Sequence, residues 1–554
     1  MKKKAVYFLL VILLVHSIFV IISMGKPFHG DESIWSESAD AILKTGGPIF
    51  DYGVNNQNYL AIHIPTNSYI ISAFIYLFGY TEYSVRAVSA IFNLFVIVLI
   101  YFIILEILKD NPKKEKWALL AVFLYALNPF TIQNSALLDV DSGLLNFSMY
   151  LFLYLFIKNK KFYYLVPSLI LIFMAKEVGP LFIFSLLIAF NLITLNFKKV
   201  SSTIILFIIS GVIFFSLYIA FSNLVGINFL ETYKMNYLRQ GGNFFSKEEI
   251  FVHLWNFKNF FYFSIPSFLL IFFICTFVFY RRLSKKPILL KEKKIQNILL
   301  FSLFSIGIII FYLLLGGSGW GFPKYYIIAL PAISIFITLI LSNSEIIKNF
   351  KDKLVSNKWF FLAIFLFLLA YFLFIIKDPL IPELDSTRNN TNLIEALFLI
   401  SKSFTLYFII PFVISIFFFY FLKSKKTILL ALILLTLFSY IYLDILHASV
   451  SYSTNFKYGD IGVKEVVSYI KENNISVEKI TTYMHIGHYI GLSEYYDITF
   501  VYDYPEKFRK EIVENPNIQY LIIWSKDINR IGENMNYFSL ERQIGSYYIF
   551  KKVL

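Results

Sequence analysis

The sequence predicts a polytopic α-helical membrane protein with a small α/β domain at its C-terminal end. Three observations predict this class. Of 554 residues, 58% are hydrophobic and only 16% charged, far from the balance of a soluble chain. Apolar runs of about 17–25 residues, long enough to cross hydrocarbon, recur along the first four-fifths of the chain. Beyond Ser449 the pattern changes to short alternating helix and strand signals.

The first run, Ala5 to Met24, follows Lys2, Lys3 and Lys4. No small-x-small cleavage site follows it, so a retained first span is expected and not a removed signal. Further crossings are expected at 85–107, 117–134, 142–157, 162–176, 178–196, 203–221, 262–280, 297–315, 325–341, 359–376, 404–421 and 427–446, about 13 in all. Asn67 to Phe78 is apolar but short and flanked by polar residues, which predicts an interfacial helix. Asn223 to Phe261 is expected to be a long outer loop, with a Gly241-Gly242 turn before the helix-start sequence Ser246 to Glu249.

Charge placement orients these spans. With the N-terminus cytoplasmic, the inner connections hold 26 Lys and Arg, in blocks such as "KDNPKKEK" and "RRLSKKPILLKEKK", and the outer ones before residue 447 hold 11. The net charge of +14 therefore reflects membrane topology, with membrane lipids as partners and no nucleic acid. An odd number of spans sends the tail outside. The expected organisation is a transmembrane domain at 1–446 and an extracytoplasmic α/β domain at 447–554 of a multi-pass cell-membrane protein.

In that tail "DIGVKEVVSYIKENN" has helical apolar spacing and "PEKFRKEIVENP" reads as a second helix. "KITTY", "YLIIW" and "YYIFKKVL" read as strands. Cys275 is the single cysteine and lies in an apolar run, which excludes a disulfide framework and a thiolate metal cluster. No fixed-period repeat, zinc-protease motif or Walker motif is present.

The unusual polar residues fall at outer ends of the predicted spans. Asp31 and Glu32 lie in "KPFHGDESIWSESADAILKTGG", directly after the first span. A carboxylate there caps the helix that follows, and a residue fixed at a rigid helix start is also placed for chemistry. Asp139 and Asp141, in "NSALLDVDSG", are at i and i+2 and do not share a helical face, so they suit separate tasks. Two such carboxylates are compatible with a divalent cation but specify none, and no cofactor is required by the sequence. Lys176 and Glu177, in "FMAKEVGP", form either a snorkelling hairpin turn or a charged site at the membrane surface. Lys324 and Tyr325 close "GGSGWGFPKYY". Arg86, Lys176 and Lys324 share the outer side, where together they suit a phosphate on a lipid tail, Arg86 as the bidentate clamp. His29 and His63 read as hydrogen bonders; a metal set of His29, Asp31 and His63 has no zinc spacing. His485 and His488, in "YMHIGHY", read as structural or surface residues of the outer domain.

The ordered set "HGDESIWSESADAILKTG", "NYLAIHIPTNSY", "LLDVDSGLLNF", "AKEVGPLFI" and "FPKYYIIALPAI" resembles the membrane glycosyltransferases of the GT-C fold, in particular the protein O-mannosyltransferase and lipid A aminoarabinose transferase group. The resemblance covers roughly residues 1–340. It implies a sugar donor on polyprenyl or dolichyl phosphate and a catalytic carboxylate at Asp31, supported by Glu32. Lys176 and Lys324, with Arg86 added from its outer position, are expected to bind the donor phosphate. His63, Asp139, Asp141, Glu177 and Tyr325 are expected to line the cavity or bind the acceptor. Lys324 stands where the family more often has an Arg-Tyr pair, which keeps phosphate attraction but not a guanidinium fork. The expected reaction transfers the sugar to an extracytoplasmic protein, glycan or lipid with inversion. A transporter or flippase for a lipid-linked or polar substrate is the competing class; it predicts polar groups near the membrane midplane and related halves.

Overall fold

The computed structural model describes residues 3–25, 27–28, 31–47, 49–51, 58–60, 64–140, 143–176, 178–225, 260, 264, 266–315, 324–343, 462–490, 505–524 and 527–553. The spans expected at 359–376, 404–421 and 427–446 and most of the loop at 223–261 lie outside the described residues.

Helix α1, Lys3–Met24, has 22 residues and therefore measures about 33 Å, enough for the hydrocarbon core. It leads into α2, Asp31–Thr45, which stops at Gly46 with φ +81°, as the glycine pair predicts. A two-stranded antiparallel hairpin follows, β1 (Ile49–Asp51) with β2 (Asn58–Leu60). Helix α3, Thr66–Phe78, occupies the segment expected to be interfacial; it buries Ile71 and Ile75 and exposes Tyr76, Leu77 and Phe78. Helix α4, Glu82–Ile107, starts with a capping box in which Thr81 and Ser84 satisfy each other's backbone amides.

The crossing expected at 117–134 is not one helix. It divides into α5, Lys114–Ala126, and α6, Pro129–Ser135. The cause is local: Asn128 precedes proline and is extended, and its side chain accepts the Phe130 amide at 2.9 Å, which starts a new helix. Helices α7 (Gly143–Ile157), α8 (Phe162–Ala175), α9 (Gly179–Ile193) and α10 (Phe197–Val225) follow. Beyond them come α11 (Pro266–Lys285), α12 (Lys293–Leu315), a 3₁₀ turn at Lys324–Ile328 and α13 (Ala329–Ser342).

Among the described residues, five helical stretches are long and apolar enough to cross a membrane, and shorter apolar helices stand among them. The chain is a multi-pass membrane protein. Outward faces of α1 and α10 are apolar, with Tyr7, Phe8, Leu14, Ile208, Val212 and Leu217 exposed where lipid would cover them. Inside the bundle α4 packs along α7 so closely that a Cβ on Gly143 would lie 2.9 Å from Ser89 Cα. The Tyr150 hydroxyl of α7 donates to Ile328 O at 2.7 Å and accepts from Ala332 N at 2.9 Å. It thus bridges the point where the 3₁₀ turn becomes α13, and it fixes the segment that carries Lys324 and Tyr325.

The C-terminal unit comprises α14 (Val463–Glu472), β3 (Ile480–Thr481), α15 (Met484–Ile490), α16 (Pro505–Phe508, running on into one π turn), β4 (Tyr520–Trp524), β5 (Phe538–Ile544) and β6 (Tyr547–Lys552). The sheet order is β3-β4-β6-β5, with β3 parallel to β4 and the other neighbours antiparallel. Its core, including Val466, Ile470, Leu521, Ile523, Tyr547 and Ile549, is separate from that of the helical bundle. Strand β5 and helix α15 are additions to the elements expected from sequence.

Candidate active site

The site is organised around the first turn of α2 and of α4. The capped start of α4 fixes Arg86, whose side chain is fully buried. Arg86 Nε donates to Glu32 Oε1 at 3.0 Å, and Nη2 donates to Glu32 Oε2 at 2.8 Å and to Pro27 O at 2.9 Å. Nη1 donates to Met24 O, the last residue of α1. The Leu138 amide donates to the same Glu32 Oε1 at 2.9 Å. One buried ion pair thereby joins the end of α1, the start of α2, α4 and the segment after α6.

Arg86, assigned from sequence to the donor phosphate, is thus enclosed and committed to Glu32 and two carbonyls. The bidentate partner of its guanidinium is a carboxylate supplied by the chain itself. Glu32 is correspondingly held by Arg86 and the Leu138 amide. Asp31 is the first residue of α2.

Next to Leu138, Asp139 Oδ2 lies 2.7 Å from Lys324 Nζ. Lys324 Nζ stands 5.5 Å from the ring centroid of Tyr325, and Lys176 Nζ stands 5.1 Å from the same centroid. Lys176 is extended between α8 and α9 and is only 6% exposed. Tyr325 stacks on Tyr312 of α12 with centroids 5.2 Å apart. Six of the sequence-assigned residues, Glu32, Arg86, Asp139, Lys176, Lys324 and Tyr325, are therefore linked in one continuous array. His63, Asp141 and Glu177, and the His29 of the conceivable metal set, lie outside the described residues. Among the described residues no group of three or more His, Cys, Asp and Glu could hold a metal ion.

An apolar layer supports the array. Phe28, Trp35 and Ala39 pack with Ile71, Val85, Val88, Leu138 and Val140. The Arg86 guanidinium lies 5.2 Å from the Phe28 centroid. On its other side Phe28 meets the C-terminal unit, stacking on Tyr489 at 6.1 Å and edge-on to His488 at 5.2 Å. These contacts were not foreseen: the sequence placed His488 in the outer domain, but no local spacing shows which element it faces.

The comparisons agree with this architecture. Residues 63–221 match the family described as dolichyl-phosphate-mannose-protein mannosyltransferase. The chain superposes along its whole length on ArnT from Cupriavidus metallidurans in the apo state, with TM-score 0.58, 11% identity and 99% of that chain covered. The chain has the GT-C glycosyltransferase fold. ArnT bound to undecaprenyl phosphate gives the same TM-score at 12% identity, again covering 100% of this chain and 99% of that one. No curated protein matches the sequence. In the GT-C fold observed here the array is built from ends of α1, α2, α4, α6 and α8 and from the 3₁₀ turn before α13, not from helix middles.

Proposed function

We propose that the protein transfers a sugar from a polyprenyl- or dolichyl-phosphate donor to an acceptor on the extracytoplasmic face of the membrane. The observation that carries this reading is the pairing of two buried or half-buried lysines, Lys176 and Lys324, around Tyr325, in the same array as the start of α2. Two ammonium groups at the surface of an apolar bundle suit a phosphate whose tail stays in lipid. The ArnT structure with undecaprenyl phosphate and the mannosyltransferase family match support the same donor class.

In this reading Asp31 accepts the proton of an acceptor hydroxyl, or orients it, as the oxygen attacks the anomeric carbon. Lys176 and Lys324 stabilise the charge that grows on the departing lipid phosphate, and only contacts that strengthen during departure lower the barrier. Direct displacement inverts the anomeric centre because no enzyme-bound intermediate forms. Arg86 acts indirectly: it holds Glu32, and with it the backbone at Asp31. Asp139 holds Lys324. The N-terminus is cytoplasmic and the array faces outward, in line with the 26 to 11 distribution of basic residues.

Sugar transfer by purified protein from a labelled polyprenyl-phosphate sugar tests the proposal. Label that crosses the bilayer without entering an acceptor would instead establish a transporter.

A further inference from the structure

The C-terminal unit touches the first outer segment through polar groups that the reaction does not use. The Tyr489 hydroxyl accepts the Phe28 amide at 2.7 Å and donates to Glu82 Oε1 at 2.9 Å. His488 Nδ1 lies 3.0 Å from Glu37 Oε1 on α2. Lys464 Nζ donates to Gly25 O at 3.4 Å and stands 3.5 Å from Glu82 Oε1. Every partner belongs to the segment around Asp31 or to the first residue of α4, more than 370 positions away in sequence.

We propose that the C-terminal domain is a clamp on the catalytic segment, and that Tyr489 is a positioning residue which sets Asp31 through Phe28 and the Arg86–Glu32 pair. The geometry forms one chain of contacts. The Tyr489 hydroxyl fixes the Phe28 backbone; the Phe28 ring covers the Arg86 guanidinium; Arg86 grips Glu32, and Glu32 adjoins Asp31. Gly25, Pro27 and Phe28 lie between α1 and α2, outside both helices. Docking from outside supplies the restraint that a short irregular link lacks. Tyr489 contacts the Phe28 backbone and Glu82, and in this role it acts on the orientation of Asp31 and not on substrate affinity. This part of the inference rests on the role proposed for Asp31.

Hydrogen exchange of the full-length protein in lipid nanodiscs tests the clamp. Tyr489→Phe keeps the ring and removes the hydroxyl; Lys464→Gln removes a second, half-exposed contact without touching the core. Each is expected to speed amide exchange in residues 25–45 about tenfold, with exchange in α4 and α7 unchanged. Unchanged exchange at 25–45 in both variants would overturn the clamp, whether or not the wild-type protein transfers sugar. For the positioning role, Tyr489→Phe should lower kcat severalfold and leave KM for the lipid donor and undecaprenyl phosphate binding within about twofold. Faster exchange with kcat unchanged would overturn that role and leave the docking contact alone.

Discussion

Arg86 and Glu32 meet as guanidinium fork and carboxylate, 2.8 Å and 3.0 Å apart, with Arg86 fully buried and Glu32 only 3% exposed. A buried pair of this kind contributes through specificity of arrangement, and removing one member leaves a charge stranded in apolar surroundings. Replacing Glu32 by Gln should cost roughly 3–5 kcal/mol of stability. Thermal unfolding in detergent reads this directly: Glu32→Gln is expected to melt well below wild type, and an unchanged transition would contradict the pairing.

Lys176 and Lys324 should affect the donor. Replacing either by Met is expected to weaken binding of undecaprenyl phosphate by about ten- to a hundredfold, the effect of losing one charge-assisted contact. A binding titration on the purified protein checks it. Undiminished affinity in Lys176→Met would remove that residue from the phosphate site.

Close packing between α4 and α7 makes Gly143 intolerant of a side chain. A Cβ there would meet backbone, Ser89 Cα at 2.9 Å, so Gly143→Val should destabilise the bundle by about 1–3 kcal/mol through overpacking. Folded yield and melting temperature report it.

Docking of the C-terminal domain should weaken in alkali. Burial first, and then the charge of Glu82, raise the Tyr489 phenol above its ordinary range. A group with its folded pKa raised above an unfolded value of roughly 10 contributes stability that is complete below that value and lost as pH rises through the folded pKa. Protection of amides 25–45 should therefore hold from neutral pH up to about 10 and decline above it. In Tyr489→Phe this alkaline component should be missing.

The linear order of elements was readable because each rests on local pattern. Apolar run length located α1, α4, α10 and α12, and short apolar runs located β4 and β6. Strand β5 was missed because Ser539, Leu540, Glu541, Arg542 and Gln543 are all exposed on the edge of the sheet, so no alternation marks it. The break at Asn128-Pro129 was written locally but was outweighed by the apolar run around it. Partner choice was not readable at all: Arg86 finds Glu32 across 54 positions and Leu138 N finds it across 106, relationships that exist only once α4 and the segment after α6 have packed. Tertiary packing decided that Arg86 is committed to Glu32 and that Lys324 pairs with Asp139.

Asp31 is the residue proposed to carry glycosyl transfer from a lipid phosphate. Purified wild-type and Asp31→Asn proteins, incubated in parallel with a panel of labelled polyprenyl-phosphate sugars and assayed for both peptide and lipid products, test it most directly. Labelled product is expected from the wild-type protein and a loss of about 10²–10⁴-fold in turnover for Asp31→Asn, with undecaprenyl phosphate binding and melting temperature preserved. Transfer at the wild-type rate by Asp31→Asn would contradict it.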